Sequence, residues 1–254
     1  MGTVTFFNNT VGNDQYYSCG GAISINPGDI CEGASRSTFS ITKAYIIFNS
    51  NSASRCGGGF YLGCTLITAF DNVSMIFINN VVKSKYNNYG VGGGAMYLFL
   101  SDFIVNNSVV RFLNNSAKGV AHGGAIYQTQ SNVYIYISEH SAISFVNNSA
   151  SSLGGAIYHR NGEVIISVDK YSRMLFYNNS ANQGGALYIQ LSGIIKVGSN
   201  SHVEFSHNTA KKFGGAVYAY DQACLFSFES SSSVVLFREN VAKLRRSRYT
   251  CLRS

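Results

Sequence analysis

One asparagine keeps returning along this chain. It stands at Asn9, Asn51, Asn80, Asn115, Asn148, Asn179, Asn208 and Asn240. Each copy lies three residues after a phenylalanine: Phe6, Phe48, Phe77, Phe112, Phe145, Phe176, Phe205 and Phe237. The Phe-to-Phe steps are 42, 29, 35, 33, 31, 29 and 32 residues. A period of this size marks a repeat architecture, in which one unit stacks on the next.

The columns of the repeat assign its local structure. Two residues before each Phe stand Val4, Ile46, Met75, Val110, Ile143, Met174, Val203 and Val235, and the residue between is polar in four copies, at Thr5, Arg111, Ser144 and Glu204. Alternation with period two is the signal of a strand with one buried face. Two residues after each Asn comes Ala or Val. A Gly-Gly turn follows seven of the eight Phe starts, and in the later copies it reads Gly-Gly-Ala, an apolar residue, then Tyr, as in Gly154 to Tyr158. From Tyr97 the Tyr-to-Tyr steps are 30, 31, 30 and 30 residues. Asn tolerates the left-handed conformation and bonds its own backbone, so it suits the corner after the Phe strand. Stacked coils would also let each amide bond the next, as in asparagine ladders. One repeat then holds three short strands, for example Gly155 to His159, Glu163 to Val168 and Met174 to Phe176. No helical period appears. The expected fold is all-β: a single right-handed three-sided parallel β-helix of about seven coils, roughly 30 residues each. It covers residues 1–242, with 243–254 expected to be a disordered basic tail. Such a solenoid is quasi-one-dimensional, because each coil buries its apolar face only against its neighbours.

The F-x-x-N and G-G-A-I motifs, in seven paired copies from Phe6 to Ala242, resemble the repeat region of chlamydial polymorphic outer-membrane proteins. They also look like the repeats of right-handed β-helix surface proteins. The resemblance implies a β-helical surface rod of the adhesin type. The chain shows neither a signal peptide nor a membrane barrel, and its first residues already lie inside a repeat, so a fragment of a longer protein is expected. The expected location is extracellular or on the cell surface, with the bacterial outer membrane as the alternative.

Composition bounds the partners. Charged residues are 12% of the chain and the net charge is +7. The excess sits in Arg238, Lys243, Arg245, Arg246, Arg248 and Arg253. Such a run can attract nucleic acid or anionic lipid, but it follows a Phe motif that lacks its Gly-Gly partner. It is read as the end of a truncated repeat, and no nucleic-acid partner is expected. No apolar run reaches the length of a membrane-spanning helix. The six cysteines, Cys19, Cys31, Cys56, Cys64, Cys224 and Cys251, permit 15 pairings. Cys19–Cys31, Cys56–Cys64 and Cys224–Cys251 are the local candidates, and free thiols are the other reading. No Cys-x-x-Cys pair or His at ligand spacing suggests zinc, and no cofactor is expected.

Glycosylation sequons occur at Asn8, Asn72, Asn106, Asn114, Asn147 and Asn178. Four of them occupy one column, just before the uniform Asn, where Ser50, His207 and Glu239 also stand. A column of such variety reads as exposed.

Two functions from different classes are in play. A carbohydrate-active β-helix enzyme would need paired carboxylates about 5–9.5 Å apart. Counted from the repeat Tyr, Asp102 and Glu163 share an offset but stand two coils apart, and no adjacent coils share an acid column. The five histidines fall in different columns. No catalytic residue is assigned, and the preferred reading is a non-enzymatic adhesive or structural rod with a surface protein or glycan as ligand. Its candidate ligand strip is Tyr61, Tyr97, Tyr127, Tyr158, Tyr188 and Tyr218, whose parity is opposite to that of the inward Phe60, Met96, Ile126, Ile157, Leu187 and Val217. An outward ladder of rings with polar tips suits an interface. The alternative is ring-on-ring stacking that only stabilises the coil.

Overall fold

The Phe strands form the first wall. A computed structural model describes residues 1–12, 18–25, 37–84, 91–130, 133–161 and 163–244. Within it, eight strands from Gly2–Phe7 to Val234–Arg238 pair in chain order, all parallel, and each Phe lies opposite the next. Alternation puts Val or Ile and Phe inside, as in Ala142–Val146, where Ile143 and Phe145 are buried. Phe48, Phe77, Phe112, Phe145, Phe176 and Phe205 have at most 1% of their surface exposed. Their rings form one continuous stack with centroid spacings between 4.6 and 4.9 Å. The spacing is that of adjacent strands, so ring packing and backbone pairing impose the same repeat.

A short second wall follows the Asn corner. Its eight strands run from Thr10–Val11 to Val241–Ala242 and also pair in chain order. Most are only two residues long, as at Ser149–Ala150. The Ala or Val of this wall faces inward and builds a small apolar cluster of its own with Val91 and Ala121.

The third wall begins at the Gly pair. Gly154 has φ +64°, and a Cβ on Gly155 would meet the carbonyl oxygen of Gly185 at 2.0 Å. The first glycine therefore supplies a left-handed turn, and the second lets the coil above approach. Strands such as Met96–Phe99, Ile126–Thr129 and Ile157–Arg160 follow, paired in register. Beyond a left-handed residue, Leu100, Gln130 or Asn161, come strands such as Asp102–Asn106, Val133–Ser138 and Glu163–Val168.

In the last coils the third and fourth segments fuse. Leu187–Val197 and Val217–Phe228 run through the corner, with a register shift between Leu191 and Gly193. The two segments thus belong to one 12-stranded sheet. The coil is three-sided as expected. It contains four strand segments rather than three, because the two residues after the Asn form a ladder of their own.

The main core fills the space between the walls, from Ile41 to Ala216. Residues 26–36 within the long first step, the cysteines Cys31 and Cys251, and the tail from 245 onward lie outside the described residues. Lys243 and Leu244 still bond the preceding coil, through Ala210 and Lys212.

Candidate functional site

The Asn column is a ladder of hydrogen bonds inside the corner. The Asn115 side-chain Nδ2 donates to Asn148 Oδ1 at 3.0 Å, and the Asn115 backbone N–H donates to the same oxygen at 3.0 Å. Asn148 repeats both bonds toward Asn179, and its Nδ2 also donates to the Phe112 carbonyl at 3.0 Å. The pattern runs from Asn9 through Asn51, Asn80, Asn115, Asn148, Asn179 and Asn208 to Asn240. Each interior amide thus joins three successive coils. Asn51, Asn80, Asn115, Asn148, Asn179 and Asn208 are fully buried, where an unpaired amide would be costly.

The left-handed residue of this corner is the one before the ladder. Asn8, Ser50, Asn79, Asn114, Asn147, Asn178, His207 and Glu239 have φ between 50° and 58°. This corrects the expectation that the uniform Asn takes that conformation. The uniform Asn is selected for its amide, and its neighbour for tolerance of positive φ. Four sequons therefore sit at exposed left-handed positions: Asn8, Asn114, Asn147 and Asn178. Asn72 is also exposed and left-handed, with φ 69°. Asn106 is half-buried and donates to Ser138 Oγ at 3.2 Å.

The tyrosine column points away from the Phe core, as its parity requires, but it is not a surface strip. Tyr97, Tyr127, Tyr158 and Tyr188 are buried, while Tyr61 and Tyr218 at the ends are half-buried. The rings stack from coil to coil, with Tyr97 and Tyr127 4.7 Å apart. The cover comes from the residue just before each Gly pair. Cys19, Cys56, Gly92 and His122 form one bridged column, continued by Leu153 and Gln183. His122 stacks on Tyr158 at 4.7 Å, and Phe213 lies 5.8 Å from Tyr218. The glycine turn folds this segment back across the rings, which alternation along a strand cannot reveal. Burial raises the phenols of Tyr97 and Tyr158 above the ordinary tyrosine range. Burial, with the Arg160 guanidinium, pushes the His122 imidazole down to about 4.

Cys19 and Cys56 are disulfide-bonded, with Cα atoms 4.5 Å apart. This replaces the expected Cys19–Cys31 and Cys56–Cys64 pairings. The bond joins the same column of adjacent coils, where stacking has already brought the two Cα atoms into range.

The carboxylates do not converge. Phe103 pairs with Ile135 and Ile135 with Ile166, so Asp102 and Glu163 are two positions out of register. Their shared offset from the Tyr fails because the corner differs in length between coils. Asp102 accepts a backbone bond from Tyr134. Glu139 pairs with Lys170, and Asp169 accepts from the backbone of Lys170 and Ser199. Among the described residues no His, Cys, Asp or Glu group could hold a metal ion. No described helix is long and apolar enough to cross a membrane.

Two polar residues escaped the sequence reading. Gln128 and His159 face each other across adjacent coils, in the inward column of Leu62, Leu98 and Ile189. Both are fully buried, and among the described residues neither amide atom of Gln128 has a hydrogen-bond partner. The signal was available: position two after the inward apolar residue reads Leu, Leu, Gln, His, Ile.

The model of the Chlamydia polymorphic membrane protein repeat matches residues 3–26, 142–160, 173–190 and 202–220. A probable outer membrane protein, PmpF of Chlamydia trachomatis serovar D, is 31% identical over 119 residues, which is 42% of this chain and 11% of that protein. The chain thus spans about a tenth of the length of the curated relative it matches. No solved structure matches.

Proposed function

We propose that this chain, which carries the repeat of the Chlamydia polymorphic membrane proteins, is a length of a cell-surface β-helical rod of the adhesin type. The observation that carries the reading is the continuity of the internal stacks. Eight Phe strands in one sheet, with a Phe column and an Asn ladder behind them, make a stiff rod whose outward positions are free to vary. Inward positions fix the coil, while outward positions tolerate Ser144, Leu175, Glu204 and Arg111 in one column. A binding surface can therefore change without disturbing the scaffold.

The relative named as a probable outer membrane protein supports a place at the cell surface or in the outer membrane. A non-enzymatic role fits the carboxylates, which are spread along the rod and engaged in corner bonds or ion pairs. The Tyr column serves the rod as internal stacking, so a ligand is sought on the outer faces.

The test is adhesion. Beads coated with the folded chain should bind cultured epithelial cells several-fold above beads coated with the heat-unfolded chain. Equal binding by the two would overturn the adhesive role. Hydrolysis or elimination of polysaccharide by the purified chain would overturn the non-enzymatic one.

A further inference from the structure

The short second wall carries a groove that the repeat itself does not explain. It has a volume of about 360 Å³ and runs past Ser149, Ser180 and Thr209, with Lys118, Lys211 and Lys243 among its lining and, among the described residues, no carboxylate. Those residues come from five successive copies of the wall. At about 4.8 Å per coil, the groove spans roughly 19 Å along the rod. All three lysines are exposed, and among the described residues none forms an ion pair or a side-chain hydrogen bond. Among the described residues the hydroxyls of Ser149, Ser180 and Thr209 make no hydrogen bond either.

We infer that this groove binds a linear anionic polysaccharide, lying along the rod axis. The inference rests on the reading of the chain as an adhesive surface rod. The charge is of one sign and is spread over several coils, which suits a polymer better than a single small anion. Lysine ammonium groups are compact, mobile point charges that meet sulfate or carboxylate without demanding a planar partner. The unpaired hydroxyls between them can bond sugar hydroxyls. Among the described residues no aromatic ring lines the groove, whereas single-stranded nucleic acid is held largely by stacking on such rings. Ser and Ala along the floor leave room for a backbone of sugar rings, and attraction to several charges makes binding strongly salt-dependent.

The experiment measures binding of the folded chain to immobilised heparin, to dextran and to poly-dT at two salt concentrations. The triple variant Lys118→Gln, Lys211→Gln, Lys243→Gln should bind heparin at least tenfold more weakly. The charge-matched variant Lys43→Gln, Arg111→Gln, Arg173→Gln, whose residues are exposed outside the groove, should stay within about twofold of the unmodified chain. Ser180→Glu, at an exposed position inside the groove, should weaken binding without loss of the thermal transition. The groove is overturned by any of three results: equal loss in the two triple variants, unchanged binding in the first, or poly-dT bound as tightly as heparin. Removal of residues 245–254 that abolishes binding would move the site to the tail and overturn it as well. The bead assay separates this claim from the broader one. Cell adhesion by the unmodified chain, with heparin binding that the groove variant leaves unchanged, sinks the groove and leaves the rod. Heparin binding that the groove variant weakens, with no cell adhesion by the unmodified chain, sinks the adhesive role and leaves the groove.

Discussion

At the residue scale, two neighbouring asparagines carry different work. Asn148 holds a buried ladder rung, and Asn147 beside it holds a left-handed turn in solvent. Asn148→Ala removes the acceptor of two Asn115 donors and the donor to the Phe112 carbonyl. Each buried group left unmade costs about 1–3 kcal/mol, so a loss of about 3 kcal/mol or more is expected in denaturant unfolding. The position was legible because every copy is Asn. Its role was only half legible, since both the turn and the ladder favour Asn, and only backbone φ separates them. Gln128 is the converse case. It stands in the core with its amide unpartnered, while Leu98 fills the same position one coil before. Gln128→Leu removes a buried unsatisfied group and should raise stability by about 1–3 kcal/mol. A lower melting temperature in that variant would show that the amide has a partner in solution.

At the scale of the strand and its turn, the Gly pair sets how closely coils stack. A methyl at Gly155 meets backbone atoms at 2.0, 2.6 and 2.7 Å, all from neighbouring coils. Backbone of this kind cannot yield locally, so Gly155→Ala should cost more than about 3 kcal/mol or prevent folding. Gly2→Ala, with nothing within 4 Å, should leave the melting midpoint in place. The same turn brings His122 over Tyr158, and the burial of its imidazole there, with the Arg160 guanidinium nearby, makes the fold pH-sensitive. The imidazole titrates at about 4 when folded, against its ordinary value of 6.5. The unfolded chain therefore takes up this proton first as pH falls. Stability linked to His122 is complete above pH 6.5 and is lost between 6.5 and 4, amounting to about 2–3 kcal/mol. His122→Phe should flatten that part of the curve, read as unfolding midpoints at pH 7, 5.5 and 4. A slope unchanged by the substitution would place the titrating group elsewhere. Strand type and register were legible from alternation and the tight Tyr spacing. The cover over the tyrosines was not, because Cys56, Gly92, His122 and Leu153 share a place in the coil and no chemistry.

At the scale of the whole molecule, the uniform columns build the inside and the irregular ones make the outside. Phe and Asn stand out in the sequence because every coil meets the same neighbours above and below. Lys118 and Lys211 did not, since Ser151 and Asn182 stand between them in the same column, and Lys243 showed only as part of the basic run at the end of the chain. Function of a surface rod thus has to be sought where the repeat is least regular. The tyrosines decide this directly, because they are the one repeated column that could have belonged to either side. Nitration of the folded chain, mapped by mass spectrometry, reads each ring separately. Tyr134, Tyr171, Tyr177 and Tyr220 are 40, 57, 39 and 48% exposed, whereas Tyr97, Tyr127, Tyr158 and Tyr188 are 6, 1, 3 and 6% exposed. The expected result is modification of the first four and protection of the second four until the chain is unfolded. Rapid nitration of Tyr127 and Tyr158 in the folded chain would contradict it, and would return the tyrosine column to the surface as the ligand strip.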